Sequence, residues 1–272
     1  MRKIRQLLLA VIVSTAIISC SKDDVDDKDK DQEPLKNETI SGKWNVDGTS
    51  QYKSFEFNEG GSFIIVERLK VQATRSTEEN EKVYFGTYEI TDNRTILLPG
   101  FGKMRVSSVK GNMIIFSLYF TTNPNDEIVL KATKQKEMES TNRTKLLCRT
   151  WKTVTLNGED VAGTDDEVNV VFSNAGTYLV DGDEGLGIAR WQWTNSKEEY
   201  IHYSWGGLEP PVWDNKVKIV NLTASSLTFL EEFDDDDDDL WVLKAVINQQ
   251  SKSAISEVKP TVNKIKGSLL GR

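Results

Sequence analysis

From residue 40 onward the chain alternates between apolar and polar positions. Phe55 and Phe57 flank Glu56, and Trp191 and Trp193 flank Gln192. Val170 and Phe172 likewise take every second position, on either side of Val171. A period of two places every second side chain on one face, as a strand with one buried face requires. Between such runs stand turn formers, "NEGG" at 58–61 and "SNAG" at 173–176, which predict tight hairpins. About eight strand-like segments fall in each half of this region, roughly every ten to twelve residues, with no sustained helical period between them.

The two halves carry one plan twice. Val129-Leu130-Lys131-Ala132 returns as Val242-Leu243-Lys244-Ala245, 113 residues later. "KMRVSSVKGNMIIF", ending at Phe116, matches "KVKIVNLTASSLTF", ending at Phe229, at the same offset. "FEFNEGGSFIIV" from Phe55 matches "VVFSNAGTYLV" from Val170, with Gly61 against Gly176 and Phe63 against Tyr178. Gly42-Lys43-Trp44-Asn45-Val46 matches the stretch from Arg149 to Val154 around Trp151. Collinear matches in one order imply a duplicated unit. Antiparallel strands joined by short turns must hide their edges, and eight of them can do so by closing into a barrel. The expected fold is therefore all-β, with two small antiparallel eight-stranded barrels in tandem.

Gly42-Lys43-Trp44 on the first strand of such a meander is similar to the Gly-x-Trp opening of lipocalins. Residues 40–246 resemble, as a pair, the tandem lipocalin-like domains of Bacteroidota lipoproteins. The second copy departs from the motif, since Arg149 stands where the glycine would be and only Trp151 remains. The resemblance implies that Trp44 and Trp151 plug the closed end of each barrel. Each unit is only about 95 to 100 residues long, so short strands and an interior filled by its own side chains are expected. A ligand would then sit at a barrel mouth or between the units.

The first residues supply an address. Arg2, Lys3 and Arg5 precede a mostly apolar run from Leu7 to Ser19. That run is too short for a membrane-spanning helix but fits a secretory signal. Ile17-Ile18-Ser19-Cys20 resembles the lipobox of bacterial lipoproteins, which implies cleavage before Cys20 and lipid on its thiol. The alternative is an ordinary signal with an incidental cysteine. Residues 21–34 are rich in Asp and Lys with almost nothing apolar to bury, and read as a solvated tether. Acidic residues behind a lipidated cysteine resemble the surface-export signal of Bacteroidota lipoproteins, which implies the outer face of the outer membrane; a periplasm-facing spacer is the alternative. The chain thus divides into a leader (1–19), a tether (20–39), barrel 1 (40–133), a linker (134–145), barrel 2 (146–247) and a basic tail (248–272).

Loss of the leader moves the formal charge from −8 to −11, which disfavours nucleic acid as a partner. Cys148 then stands alone, so folding rests on the core rather than on a disulfide. Chemistry-bearing motifs are absent: there are no paired cysteines, phosphate-cradling glycine loop or HExxH, and the single histidine, His202, lies in the strand-like "EEYIHYSWGG". No enzymatic activity and no cofactor are expected. A run of six aspartates, Asp234 to Asp239, lies between two strand-like segments; Asp234, Asp236 and Asp238 are candidate calcium ligands, against a plain solvated hairpin loop.

Aromatic residues are the remaining signal. Trp191, Trp193, Tyr200, Tyr203, Trp205 and Trp213 lie within 23 residues, and Pro210-Pro211 stiffens the loop before Trp213. Flat rings suit sugar faces, peptides or a protein partner. Trp205, Trp213, Tyr203, Tyr200 and His202 are the candidate ligand-binding residues, while Trp191, Trp193, Tyr203 and Trp205 read more readily as barrel core. In the tail, Ile255, Val258, Val262, Ile265 and Leu269 recur at helical spacing, interrupted by Pro260. They predict either a helix that caps a barrel or the interface between units, or a frayed end. Together these features lead us to expect a non-enzymatic, lipid-anchored envelope protein that binds a glycan, peptide or small apolar ligand. The alternative is a structural or assembly lipoprotein that docks to an envelope complex.

Overall fold

A computed structural model describes residues 34–69, 81–182, 185–205, 211–213, 215–233, 238–246, 254–258 (backbone) and 269–270. The leader, Cys20 and nearly all of the tether lie outside the described residues. Barrel 1 follows a short helix, α1 (Asn37–Ile40). Its strands are β1 (Gly42–Val46), β2 (Tyr52–Phe57), β3 (Ser62–Arg68), β4 (Glu81–Thr87), β5 (Glu89–Ile90), β6 (Thr95–Leu98), β7 (Gly102–Lys110), β8 (Met113–Phe120) and β9 (Glu127–Lys134). Barrel 2 follows α2 (Asn142–Leu147), so the end of the expected linker is helical, with the Thr141 hydroxyl accepting from the Thr144 amide. Its strands are β10 (Thr150–Leu156), β11 (Glu159–Asp160), β12 (Asn169–Phe172), β13 (Thr177–Gly182), β14 (Gly185–Trp193), β15 (Tyr200–Trp205), β16 (Asn215–Leu222), β17 (Ser226–Glu231) and β18 (Asp239–Ala245). All pairings are antiparallel, and the two sheets form closed or nearly closed barrels in tandem.

The duplication read from the sequence has a geometric counterpart at the first strand. Trp44 Nε1 donates to the Ile40 carbonyl at 2.7 Å, and Trp151 Nε1 donates to the Leu147 carbonyl at 2.9 Å. Each acceptor is the last residue of the preceding helix, a position whose carbonyl has no partner within the helix; the Leu147 carbonyl also accepts from the Arg149 amide at 2.8 Å. Both indoles are fully buried, and a cation covers each ring: Lys134 Nζ lies 5.7 Å from Trp44 and the Arg149 guanidinium 5.5 Å from Trp151. The copies differ in register where first and last strands meet. Ala132 faces Val46, but its counterpart Ala245 faces Trp151, a shift of two residues that keeps side chains on the same face as far as Thr153, where β10 bulges against β18.

Closure differs between the copies. In barrel 2, β14 pairs with β15 along five residue pairs, from Ala189↔Trp205 to Trp193↔Ile201, and β10 pairs with β18 to complete the ring. In barrel 1 the corresponding chain breaks at Tyr88. β4 pairs only with β3 on its inner side, while the two-residue β5 reaches β6. The free edge of β4 is taken by β19 (Ala254–Val258), from Ala254↔Phe85 to Val258↔Glu81. The tail is therefore not helical here, contrary to the expectation from its apolar spacing. Its β-branched residues favour strand, and an open edge offers unpaired backbone groups that a helix could not use.

The barrels pack side by side. Ile64, Val66, Val83 and Phe85, on the outer faces of β3 and β4, form one buried cluster with Val171, Leu179 and Leu186 of barrel 2. This is why β3 is buried at five successive positions from Ser62 to Val66: one face lines barrel 1 and the other meets barrel 2. Each such apolar side chain contributes about 1.5–3 kcal/mol when withdrawn from water. Buried Glu56 accepts a 2.8 Å bond from the Thr177 hydroxyl, which itself accepts from Lys43 Nζ at 3.2 Å.

Candidate functional site

Successive hairpins place their turns at alternating ends of each barrel, which defines a closed end near the buried tryptophan and a mouth opposite it. At the mouth of barrel 1 the connections are 47–51, 69–80, 99–101 and 121–126. Aromatic side chains from its own wall fill it. Phe101 packs edge-on against Tyr52 at 6.0 Å, against Phe120 at 5.7 Å and against Tyr84 at 4.9 Å. Tyr52 is only 2% exposed in this layer, and its burial pushes the phenol up to about 12. This agrees with the expectation of a filled interior.

Barrel 2 is built differently under its mouth, where the connections are 157–168, 183–184, 206–214 and 232–238. On β17 the alternation carries Leu227, Phe229 and Glu231 to the buried side, so the third inward position is an acid. Glu231 accepts from Trp241 Nε1 at 3.2 Å through one oxygen and from the Leu269 amide through the other. The Tyr178 hydroxyl donates to the Leu269 carbonyl at 2.7 Å. Leu269 and Leu270 are both buried and belong to the barrel 2 core together with Tyr178, Tyr203, Trp241 and partly buried Trp205. A segment 24 residues beyond the last barrel strand thus enters the interior, and its backbone N–H and C=O are each met by a side chain.

The energetic reason for this arrangement is strict. A buried carboxylate is costly unless donors satisfy it, and a buried peptide unit is costly unless both its groups are paired. Glu231, Tyr178 and Trp241 meet both demands at once. Burial first, and the nearby Glu231 charge second, hold the phenols of Tyr178 and Tyr203 far above their ordinary range. Both stay neutral donors at any physiological pH.

The structure separates the aromatic residues singled out in the sequence. Trp191 and Trp193 lie toward the closed end, their rings 5.6 Å apart and edge-on. Trp193 Nε1 donates to the Thr144 hydroxyl at 2.9 Å, beneath α2. Tyr203 is core. Trp205, at the end of β15 and hence at the mouth, is half-buried with its ring 5.7 Å from that of Tyr178. A Cβ added at Gly187 would come within 2.9 Å of the Trp205 ring, so the glycine is what lets the indole lie there. Trp213 is half-buried in the mouth connection, whose end is held by the Val212 amide donating to Ser204 Oγ at 3.1 Å. Tyr200 and His202 occupy the other face of β15. Lys216 Nζ lies 5.6 Å from the Tyr200 ring, and His202 Nδ1 is buried without a hydrogen-bond partner among the described residues. Trp205 and Trp213 therefore share the mouth with Glu231, whereas Tyr200 and His202 do not.

Asp234 and Asp236 lie outside the described residues, and Asp238 is exposed at the base of its loop. Among the described residues no group of three or more His, Cys, Asp or Glu side chains is placed to hold a metal ion. Cys148 is half-buried near Glu56, and burial, with Glu56 adding to it, pushes its thiol well above the ordinary range, which makes it a poor nucleophile. A depression of about 260 Å³ lies between the barrels, ringed by Lys53, Arg68, Glu81 and Arg190, with Lys53 and Glu81 paired at 2.8 Å. Among the described residues no helix is long and apolar enough to cross a membrane.

Glu231, Trp241 and Tyr178 were not among the candidates read from the sequence. One signal pointed to Glu231: an acid at an inward position of an alternating strand, two residues beyond Phe229. Leu269 stood in the tail's apolar stripe, which predicted a cap on a barrel, but nothing local tied it to Glu231 or Tyr178. Compared with models of known protein families and with curated proteins, the chain matches none.

Proposed function

We propose that the protein is a non-enzymatic binding protein whose ligand site is the interior and mouth of barrel 2. The observation that carries this reading is the contrast in what fills the two barrels. Barrel 1 is closed by its own wall, whereas barrel 2 accommodates a guest that is no part of its wall and meets that guest's polar atoms with Glu231 and Tyr178. Trp205 and Trp213 frame the entrance. The lipobox-like Ile17-Ile18-Ser19-Cys20, the acidic tether and the tandem lipocalin-like pattern support a lipid-anchored protein of a bacterial cell envelope, carried by Cys20 at the outer membrane. Calcium on Asp234, Asp236 and Asp238 would be an accessory of the mouth loop.

The test is a titration of the protein with glycans, apolar peptides and small apolar ligands, followed by tryptophan emission. One class should give a saturable shift that Trp213→Ala weakens. Silence from every class, together with co-purification of an envelope protein, would replace this reading by the assembly role. Mass spectrometry of the amino-terminal peptide checks the anchor, with an acylated Cys20 expected.

A further inference from the structure

We infer that the barrel 2 site is specific for an apolar peptide segment, and that Leu269-Leu270 occupies it as an internal stand-in for that ligand. The inference rests on the reading of barrel 2 as the binding barrel and assigns its ligand class. Three features of the site are those of a peptide reader. A carboxylate oxygen of Glu231 takes the Leu269 N–H, while the Tyr178 hydroxyl gives its proton to the Leu269 C=O. A hydrocarbon guest would offer no N–H or C=O to the Glu231 oxygen and the Tyr178 hydroxyl that meet Leu269, and a sugar would present hydroxyls to the apolar walls of Phe229 and Tyr203. Two leucine-sized side chains fill the remaining space, Leu269 with no exposure and Leu270 with 7%. Because Trp241 Nε1 holds the other Glu231 oxygen at 3.2 Å, the carboxylate is oriented before the peptide arrives.

Occupation from within one chain sets the regulation. A tethered segment acts at an effective concentration in the millimolar range, so a free peptide competes poorly until the segment is displaced. Charge in the segment should displace it, because a carboxylate placed beside buried Glu231 meets a like charge in an apolar interior.

The experiment uses the full chain and its Leu269→Asp/Leu270→Asp variant, titrated with a capped synthetic peptide of sequence GSLLGR. The variant should bind the peptide at least tenfold more tightly than the unaltered protein, and a GSSSGR peptide should not bind. Adding Glu231→Gln or Tyr178→Phe to the variant should weaken binding at least fivefold. If the variant binds an anilinonaphthalene dye but not GSLLGR, the peptide assignment is overturned and the binding-barrel reading stands. If it binds neither while near-ultraviolet circular dichroism shows it folded, both fall. Should the variant not fold, hydrogen exchange decides on the unaltered protein. Saturating GSLLGR must accelerate exchange of the Leu269 amide at least tenfold, and an unchanged rate overturns the assignment.

Discussion

The mouths of the two barrels solve one packing problem in opposite ways. Barrel 1 turns Phe101, from the short connection between β6 and β7, inward onto Tyr52 and Phe120. Barrel 2 has a longer connection in the same place, 206–214, and its Trp213 is only half-buried. The space that Phe101 fills in one copy is left in the other to a remote segment, Leu269-Leu270, and to the polar pair that grips it. The difference teaches where function can reside in a duplicated fold. A barrel stoppered by its own wall has nothing to exchange, whereas one stoppered by a displaceable segment has a site. The tail serves both copies, since β19 covers the open edge of β4 on its way.

The closed ends should prove equivalent, and this is the largest effect expected. Trp44→Ala and Trp151→Ala should each destabilise by about 3–5 kcal/mol, the range for truncating a buried tryptophan, with the two losses within about 1 kcal/mol of each other. Denaturant titrations with both variants measure this. A loss at one site alone would show that the copies are not structural equals.

The mouths should then diverge. Phe101→Ala should cost about 3 kcal/mol, because it removes the ring packed against Tyr52, Tyr84 and Phe120. Trp213→Ala in the matching connection should change stability by only about 0.5 kcal/mol while weakening ligand binding. Equal losses would mean that Trp213 is core after all, and the asymmetry would be gone.

Alkaline titration gives a finer comparison. Tyr52 and Tyr88 of barrel 1 have phenols pushed up to about 12, in both cases chiefly by burial. Their folded values lie above the unfolded value near 10, so the stability they contribute is complete below pH 10 and is lost as the pH rises toward 12. By the top of that window the loss is about 2 kcal/mol for each group. Tyr178 in barrel 2 is held higher still, with Glu231 adding to burial. Absorbance at 295 nm should therefore show the exposed phenols first, the barrel 1 pair next and Tyr178 last. Ionisation of all of them near pH 10 would show that neither interior is dry.

Much of this was legible along the chain. Alternation at Phe55-Glu56-Phe57 and turn residues at Gly61 and Gly176, both at positive φ, are local properties, and they specified strands and hairpins in both halves. The matched segments around Trp44 and Trp151 reported the duplication, and side-chain volume against strand number reported a filled interior. The mouth of barrel 2 was half legible. Trp205 and Trp213 stood out as aromatic neighbours of a rigid loop, but Tyr200 and His202, adjacent in sequence to Tyr203, face the other way because a strand sends neighbours to opposite sides.

What the order of residues could not convey was who meets whom over long separations. Glu231 and Leu269 are 38 residues apart and Tyr178 and Leu269 are 91 apart, and no periodicity links them. The tail's apolar spacing suited a helix as well as a strand, and the choice was made by an unpaired edge at β4, which exists only because β5 leaves for β6. Glu56 and Val171 read as outward positions, yet both are buried, because the surface they face is the other barrel. Local pattern follows from the geometry of one strand; pairing, closure and the filling of a cavity depend on which surfaces the folded chain brings together.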